Sequence, residues 1–238
     1  MLQLADVEKY YANVYALRRV NLNFVRGEVV GLFGANGAGK TTLLKAAMGL
    51  IPLDRGWVTL NGEKLQKEVY EELSFITEEG SFFSDMTPRA HGEFYAGMLP
   101  RFKSDRFELL LDFFELEPTK RAGAFSRGQR AKLEIAIGMS RGADFILMDE
   151  PFSGKDIFTR RDFLKLMIAM LEPQECVVVA THQIEEIENF VTRAVVLMDG
   201  RIAADAQMDE ITAECEGLSE FIRRSCGYDE GRVGVFLV

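Results

Sequence analysis

The stretch EVVGLFGANGAGKTTLLKAAMGL, residues 28–50, decides the fold. Residues 28–33 read as an apolar strand and 40–49 as a helix, with Gly49 as its stop. Between them, GANGAGKT satisfies G-x-x-x-x-G-K-[ST] in full, in the strand–loop–helix context that the pattern requires. Gly34, Gly37 and Gly39 let the backbone curl so that its N–H groups point at phosphate. Lys40 adds a positive charge near the β and γ phosphates, and the Thr41 hydroxyl can ligate Mg²⁺. The helix N-terminus adds positive potential of its own. The expected nucleotide-binding set here is Gly34, Asn36, Gly37, Ala38, Gly39, Lys40, Thr41 and Thr42.

Working outward, similar apolar runs occur at 145–151 (FILMDEP), 176–182 (CVVVATH) and 193–201 (RAVVLMDGR). Strands apolar on both faces belong to a parallel sheet flanked by helices. Phe163, Leu166, Met167, Met170 and Leu171 follow helical spacing between two of these strands. The pattern is an α/β fold with right-handed crossovers. Residues 78–140 break the alternation and read as an inserted helical lobe, with helices at 88–99, 104–116 and from 128 onward. LRRVNLNFVRGEV and GWVTLNG look like short antiparallel strands near the N-terminus. The tail from Asp205 carries eight acids against three arginines and is expected to form short helices, at 208–213 and 218–224.

Composition sets limits. The chain has 238 residues, 47% hydrophobic and 27% charged, which fits one globular unit or one unit with an inserted lobe. Its net charge of −9 leaves no basic footprint for nucleic acid. Three cysteines, an odd number without a CxxC, suggest neither a disulfide framework nor a zinc site, and a reducing cytosol fits. The N-terminus lacks the apolar core of a signal peptide. No apolar run approaches the ~20 residues that cross a bilayer.

FILMDE ends in two adjacent carboxylates. Asp149 is placed to reach a Mg²⁺ shell, and Glu150 to polarise an attacking water. His182 closes a buried strand. It is either a structural histidine or a group facing the crevice where ligands collect in open α/β sheets. His91 lies on a helix expected to be exposed and is assigned no role. AFSRGQRAKLEIAIG, residues 124–138, starts a second helix that could face phosphate. Ser126 is a good N-cap there, and Gly128 permits close backbone approach. By itself this segment reads first as a plain capped helix.

In order, these pieces resemble the ATP-binding subunit of ABC transporters, over about residues 2–205. FSRGQ, residues 125–129, stands where that family has LSGGQ. The resemblance implies a P-loop ATPase of ABC type. Its core sheet would be mostly parallel, with an antiparallel N-terminal part, an inserted helical subdomain at about 78–140 and a short acidic tail at 206–238. It implies that two subunits pack head to tail, so that Ser126, Gly128 and Gln129 of one face the ATP held by the other. It further implies that Tyr11 stacks on adenine, that His182 meets the γ-phosphate, and that Asp156 contacts the partner. Glu78 stands where a glutamine is usual and is expected at the Mg²⁺ site.

The departures are Phe125 for leucine, Arg127 for the first signature glycine, Lys155 for leucine and Glu78 for glutamine. None removes a group with a proton-transfer role, so hydrolysis is expected, with Glu150, His182 and Lys40 as its catalytic residues. The partners implied are a second ATP-binding subunit, identical or closely related, and a membrane-spanning permease. The chain would then sit at the cytoplasmic face of the cell membrane through that permease. Arg127 and Glu78 are similar to features of a bacterial exporter-type branch. The competing expectation is a soluble ABC-type ATPase in nucleic-acid maintenance or translation. Against it, residues 43–124 hold no sustained heptads, and the chain has a single phosphate loop.

Overall fold

A computed structural model describes residues 1–12, 14–65, 71–77, 80, 82–151 and 157–227. Glu78, Lys155, Asp156 and the apolar end at 233–238 lie outside these described residues.

The chain opens with an antiparallel hairpin of β1 (Leu2–Tyr11) and β2 (Val14–Phe24). After β3 (Val29–Phe33) and α1 (Lys40–Ala47), β4 (Arg55–Leu60) pairs with β1, and β5 (Glu63–Lys64) closes a sheet ordered β2-β1-β4-β5. The expected strands at 17–29 and 56–62 thus gain a partner, β1, ahead of them. Register shifts between Leu4 and Val7, with Asp6 at φ 50°, break its alternation and hide it from a period-two reading.

The second sheet is ordered β10-β9-β3-β8-β7-β6. It comprises β6 (Leu73–Ile76), β7 (Phe145–Asp149), β8 (Cys176–Thr181), β9 (Arg193–Met198) and β10 (Arg201–Gln207) beside β3. All pairings are parallel except β10 on β9. The expected single strand at 193–201 is therefore corrected to a hairpin. Asp199 at φ 48° and Gly200 at φ 76° form its two-residue turn, the geometry for which Asp-Gly is favoured.

Alternate residues of the central strands point to opposite sides, as a pleated strand requires. Val30, Leu32, Phe145, Leu147, Val178 and Ala180 join a core with the antiparallel sheet and Leu43 and Leu44 of α1. Val29, Phe33, Ile146, Met148, Val177 and Val179 join a second core with the remaining helices. Those helices are α2 (Pro88–Met98), α3 (Ser104–Phe113), α4 (Arg127–Ser140), α5 (Ile157–Met170), α6 (Ile184–Ile187), α7 (Met208–Glu214) and α8 (Leu218–Ser225).

Thr87 caps α2 by accepting from Ala90 N at 3.2 Å, with Pro88 at the first helical position. The C-terminal end of α4 lies on β6. A Cβ on Gly138 would stand 2.3 Å from Ile76 Cγ1, and Ser74 Oγ donates to Gly138 O at 2.8 Å. Ile211, Leu218 and Ile222 bring α7 and α8 into the helical-side core, and β10 runs through the expected division at 205.

His91 is not exposed but fully buried. Its Nε2 accepts from Phe83 N at 2.8 Å, and its Nδ1 lies 2.8 Å from Thr87 O. The first bond requires an unprotonated Nε2, so the proton sits on Nδ1 and is donated to Thr87. The expected exposure fails because the segment around Phe83 folds back onto His91, bonding its ring nitrogen and stacking on its ring.

Candidate active site

Three parallel strands, adjacent in the order β3-β8-β7, end together. Phe33 pairs with Thr181, and Asp149 with Ala180. The loop at 34–39, the carboxylate pair and His182 therefore share the carboxyl edge of the sheet, where α/β folds collect ligands. The loop is held closely from outside. A Cβ on Gly34 would stand 2.3 Å from Leu197 O, and one on Gly39 2.4 Å from Ala16 O, with Gly39 at φ 108°. Only glycine meets both demands. Asn36 and Gly37 are exposed at the loop's tip, Ala38 is buried, and Thr41 and Thr42 follow Lys40 in the first turn of α1, which carries no acid.

Lys40 is buried and bends back over the loop. Its Nζ donates to Gly34 O at 2.7 Å and to Ala35 O at 3.3 Å, and lies 3.8 Å from Glu150 Oε1. Burial lowers its pKa, against the raising effect of Glu150 and Asp149.

Asp149 ends β7 with one oxygen, Oδ1, buried and without a hydrogen-bond partner among the described residues. Burial raises its pKa, Glu150 adds to the rise, and a hydrogen bond from Thr41 opposes it. A buried, orphaned carboxylate oxygen next to a hydroxyl is a hard donor pair. Mg²⁺ takes one or two such protein ligands and fills its shell with water and substrate phosphate. The residues present therefore fit that ion. No cluster of three or more His, Cys, Asp or Glu side chains competes for a metal among the described residues.

Glu150 turns sharply at the strand end, at φ 46°, a left-handed conformation that an L-residue adopts at a cost of about 1–2 kcal/mol. Its N donates to Ala180 O at 2.9 Å. Oε1 lies 2.9 Å from His182 Nδ1, and Oε2 accepts from Thr181 Oγ1 at 3.2 Å. Thus the structure brings Lys40, Asp149, Glu150 and His182 together. Thr181 is not among the expected residues; its signal is the one hydroxyl in CVVVATH, at the end of the apolar run and directly before His182.

The second helix start is built differently. Gln129 N donates to Ser126 Oγ at 3.2 Å, and Ser126 N to Gln129 Oε1 at 3.0 Å, a reciprocal capping box. Phe125 is buried beneath it, and Arg127 opens α4 at the surface. Ser126 lies twelve residues, roughly 18 Å of helix, from the Gly138 contact with β6. Since β6 is itself three strands from β3, the starts of α1 and α4 are not brought together within one chain. A Cβ on Gly128 would meet only Ser126 Oγ, at 4.0 Å. Nothing among the described residues requires glycine there.

Tyr11 is exposed at the tip of the β1–β2 hairpin, with Lys9 Nζ 5.2 Å from its ring centre. Beside it, Tyr10 and Tyr15 meet edge to face at 5.5 Å. Ala16 abuts Gly39, and Gly200 N donates to Ala38 O at 3.1 Å, so this aromatic tip stands next to the phosphate loop. Tyr15 is a further aromatic that its strand position alone did not single out.

The ABC transporter family model matches residues 17–153. The chain is 27% identical over 217 residues to the ABC transporter ATP-binding protein YtrB of Bacillus subtilis (strain 168), covering 90% of this chain and 74% of that protein. It is 25% identical over 227 residues to the bacitracin transport ATP-binding protein BcrA of Bacillus licheniformis, covering 93% and 74%. Among solved structures it is similar to the dimeric post-hydrolysis state of the ATP-binding cassette MJ0796 bound to ADP and Pi. There the TM-score is 0.76 at 25% identity, over 87% of this chain and 98% of that one. The family match runs through the phosphate loop, the FSRGQ segment and the carboxylate pair alike, and the chain therefore belongs to the ABC transporter family, as a subunit that binds and hydrolyses ATP.

Proposed function

We propose that this chain pairs with a second ATP-binding subunit, another copy or a close relative, and that ATP-driven closure of the pair powers a separate membrane-spanning permease. The observation that carries the catalytic reading is the position of Glu150, between Lys40 Nζ at 3.8 Å and His182 Nδ1 at 2.9 Å. From there its carboxylate orients water for in-line attack on the γ-phosphate. Lys40 and His182 stabilise the charge that develops.

Tyr11 stacks on adenine. The loop residues from Gly34 to Thr42 hold the phosphates. Thr41 and Asp149 would hold Mg²⁺, with Glu78 as a further oxygen donor. When bound, Mg²⁺ neutralises charge on the phosphates. Ser126, Gly128 and Gln129 serve the partner's nucleotide. The open space at Gly128 among the described residues supports this, since glycine there allows the close approach of another molecule.

The subunit works at the cytoplasmic face of the cell membrane, peripherally through the permease. Among the described residues no helix is long and apolar enough to cross a membrane. The finer reading is an exporter-type branch, supported by Arg127 and Glu78 and by the likeness to BcrA, a bacitracin transport protein. A net charge of −9 supports transport over a nucleic-acid role.

Glu150→Gln is expected to lower ATP hydrolysis by about 10²–10⁴-fold while ATP-dependent pairing persists. Wild-type hydrolysis in that variant sinks the catalytic assignment. Purification from native membranes in mild detergent is expected to bring down a multi-span protein; soluble partners alone would end the transport reading.

A further inference from the structure

We infer that Thr181 is a positioning residue for hydrolysis, holding the Glu150 carboxylate in its working orientation. The inference rests on the reading of Glu150 as the group that orients water. In that step the water oxygen bonds to the γ-phosphorus. The bond from phosphorus to the bridging oxygen breaks, and its electron pair leaves with ADP. One water proton passes towards Glu150.

Glu150 needs restraint, because its backbone is left-handed and its side chain is partly exposed. His182 contacts one carboxylate oxygen, but its side chain is 46% exposed and, in the proposed mechanism, also turns to the phosphate. Thr181 is the fixed support. It is buried at the end of β8, in a strand whose other residues are all buried too. A buried hydroxyl there is costly unless it is bonded on both sides, and it is. Gln183 N donates to Thr181 Oγ1 at 3.1 Å, and Thr181 Oγ1 donates to Glu150 Oε2 at 3.2 Å. A hydroxyl has one proton; with Gln183 supplying the incoming bond, that proton is free to point at Glu150. The β-branched side chain is stiff about χ1, so the donor stays in place while His182 moves.

The test is steady-state hydrolysis by the full chain carrying Thr181→Val, Thr181→Ser or Glu150→Gln, with melting temperature and ATP-dependent pairing measured alongside. Valine keeps the shape and removes the hydroxyl. Its kcat is expected to fall about tenfold to a hundredfold, the size of a lost hydrogen bond to a charged group, with KM for ATP and pairing within about twofold of wild type. Serine is expected to restore kcat to within about threefold of wild type, its hydroxyl donating the same bond from a less restricted χ1. Thr181→Ala makes the same measurement should the valine variant not fold. The inference is overturned if valine and alanine leave kcat within twofold of wild type, or if kcat falls only in proportion to lost ATP binding. Full activity in Glu150→Gln would remove the underlying reading instead, a result distinct from normal activity in Thr181→Val beside an inactive Glu150→Gln.

Discussion

Arg106 of α3 and Glu175, in the turn before β8, meet through two hydrogen bonds, of 2.8 and 3.0 Å, and both are buried. Arg106 also donates to the carbonyls of Met139 and Met170, so one guanidinium ties α3 to the ends of α4 and α5. Lys103 adds a bond to Glu175 at 2.9 Å. Removing one partner leaves the other charged and buried. Arg106→Ala is therefore expected to cost about 3–5 kcal/mol, read from the urea midpoint. Replacing both with apolar residues of similar size is expected to cost much less. Equal losses in the two variants would show that this contact does not anchor the helical side.

His91 links acid to stability. Burial lowers its pKa below the ordinary 6.5, against a hydrogen bond to Thr87 that raises it. The unfolded chain takes up the proton first as pH falls below about 6.5, so stability is present above that value and declines towards the folded pKa. For one proton the slope is at most about 1.4 kcal/mol per pH unit. Comparing urea midpoints at several pH values for the wild type and His91→Gln checks this. The variant is expected to flatten the decline between pH 6.5 and 5.

Gly128 and Gly34 are expected to respond oppositely to alanine. At Gly34 a Cβ would stand 2.3 Å from Leu197 O, so Gly34→Ala should lower the melting temperature as well as ATP binding. At Gly128 the described residues leave room, and alanine favours the helix by up to about 1 kcal/mol. Gly128→Ala should keep or raise the melting temperature while ATP-dependent pairing and hydrolysis weaken. A variant with unchanged turnover would place the partner's approach elsewhere.

Lys40 is a compact point charge threaded between two loop carbonyls and Glu150. Lys40→Met is expected to lower kcat/KM for ATP by about 10²–10³-fold, as for other lost charge-stabilising donors. Lys40→Arg should not restore it, since a planar guanidinium does not fit where an ammonium is held. Titrating a fluorescent nucleotide against each variant separates lost binding from lost turnover.

Much of the site was legible because its chemistry is local. The phosphate loop, the carboxylates at a strand end and the Ser126 cap are each written in fewer than ten consecutive residues, and each occurs where it was expected. The strands that were missed lack such a local pattern. Bulges interrupt β1, β6 is only four residues long, and β10 was fused to β9 because the Asp199-Gly200 turn was read as part of a strand. The expected exposure of His91 failed for a similar reason: its cover comes from chain segments that are not its helical neighbours.

The sequence by itself determined the backbone turn that can hold phosphate, the alternation of strands and helices, and the types of side chain available. Local sterics and hydrophobic periodicity suffice for those. Only the tertiary structure decided that β8 enters between β3 and β7. That insertion sets His182 and Thr181 against Glu150, over thirty residues away in the chain, and sets Lys40 beside the same carboxylate. Parallel strands pair through non-local hydrogen bonds, and no short window of residues encodes which strand lies next to which.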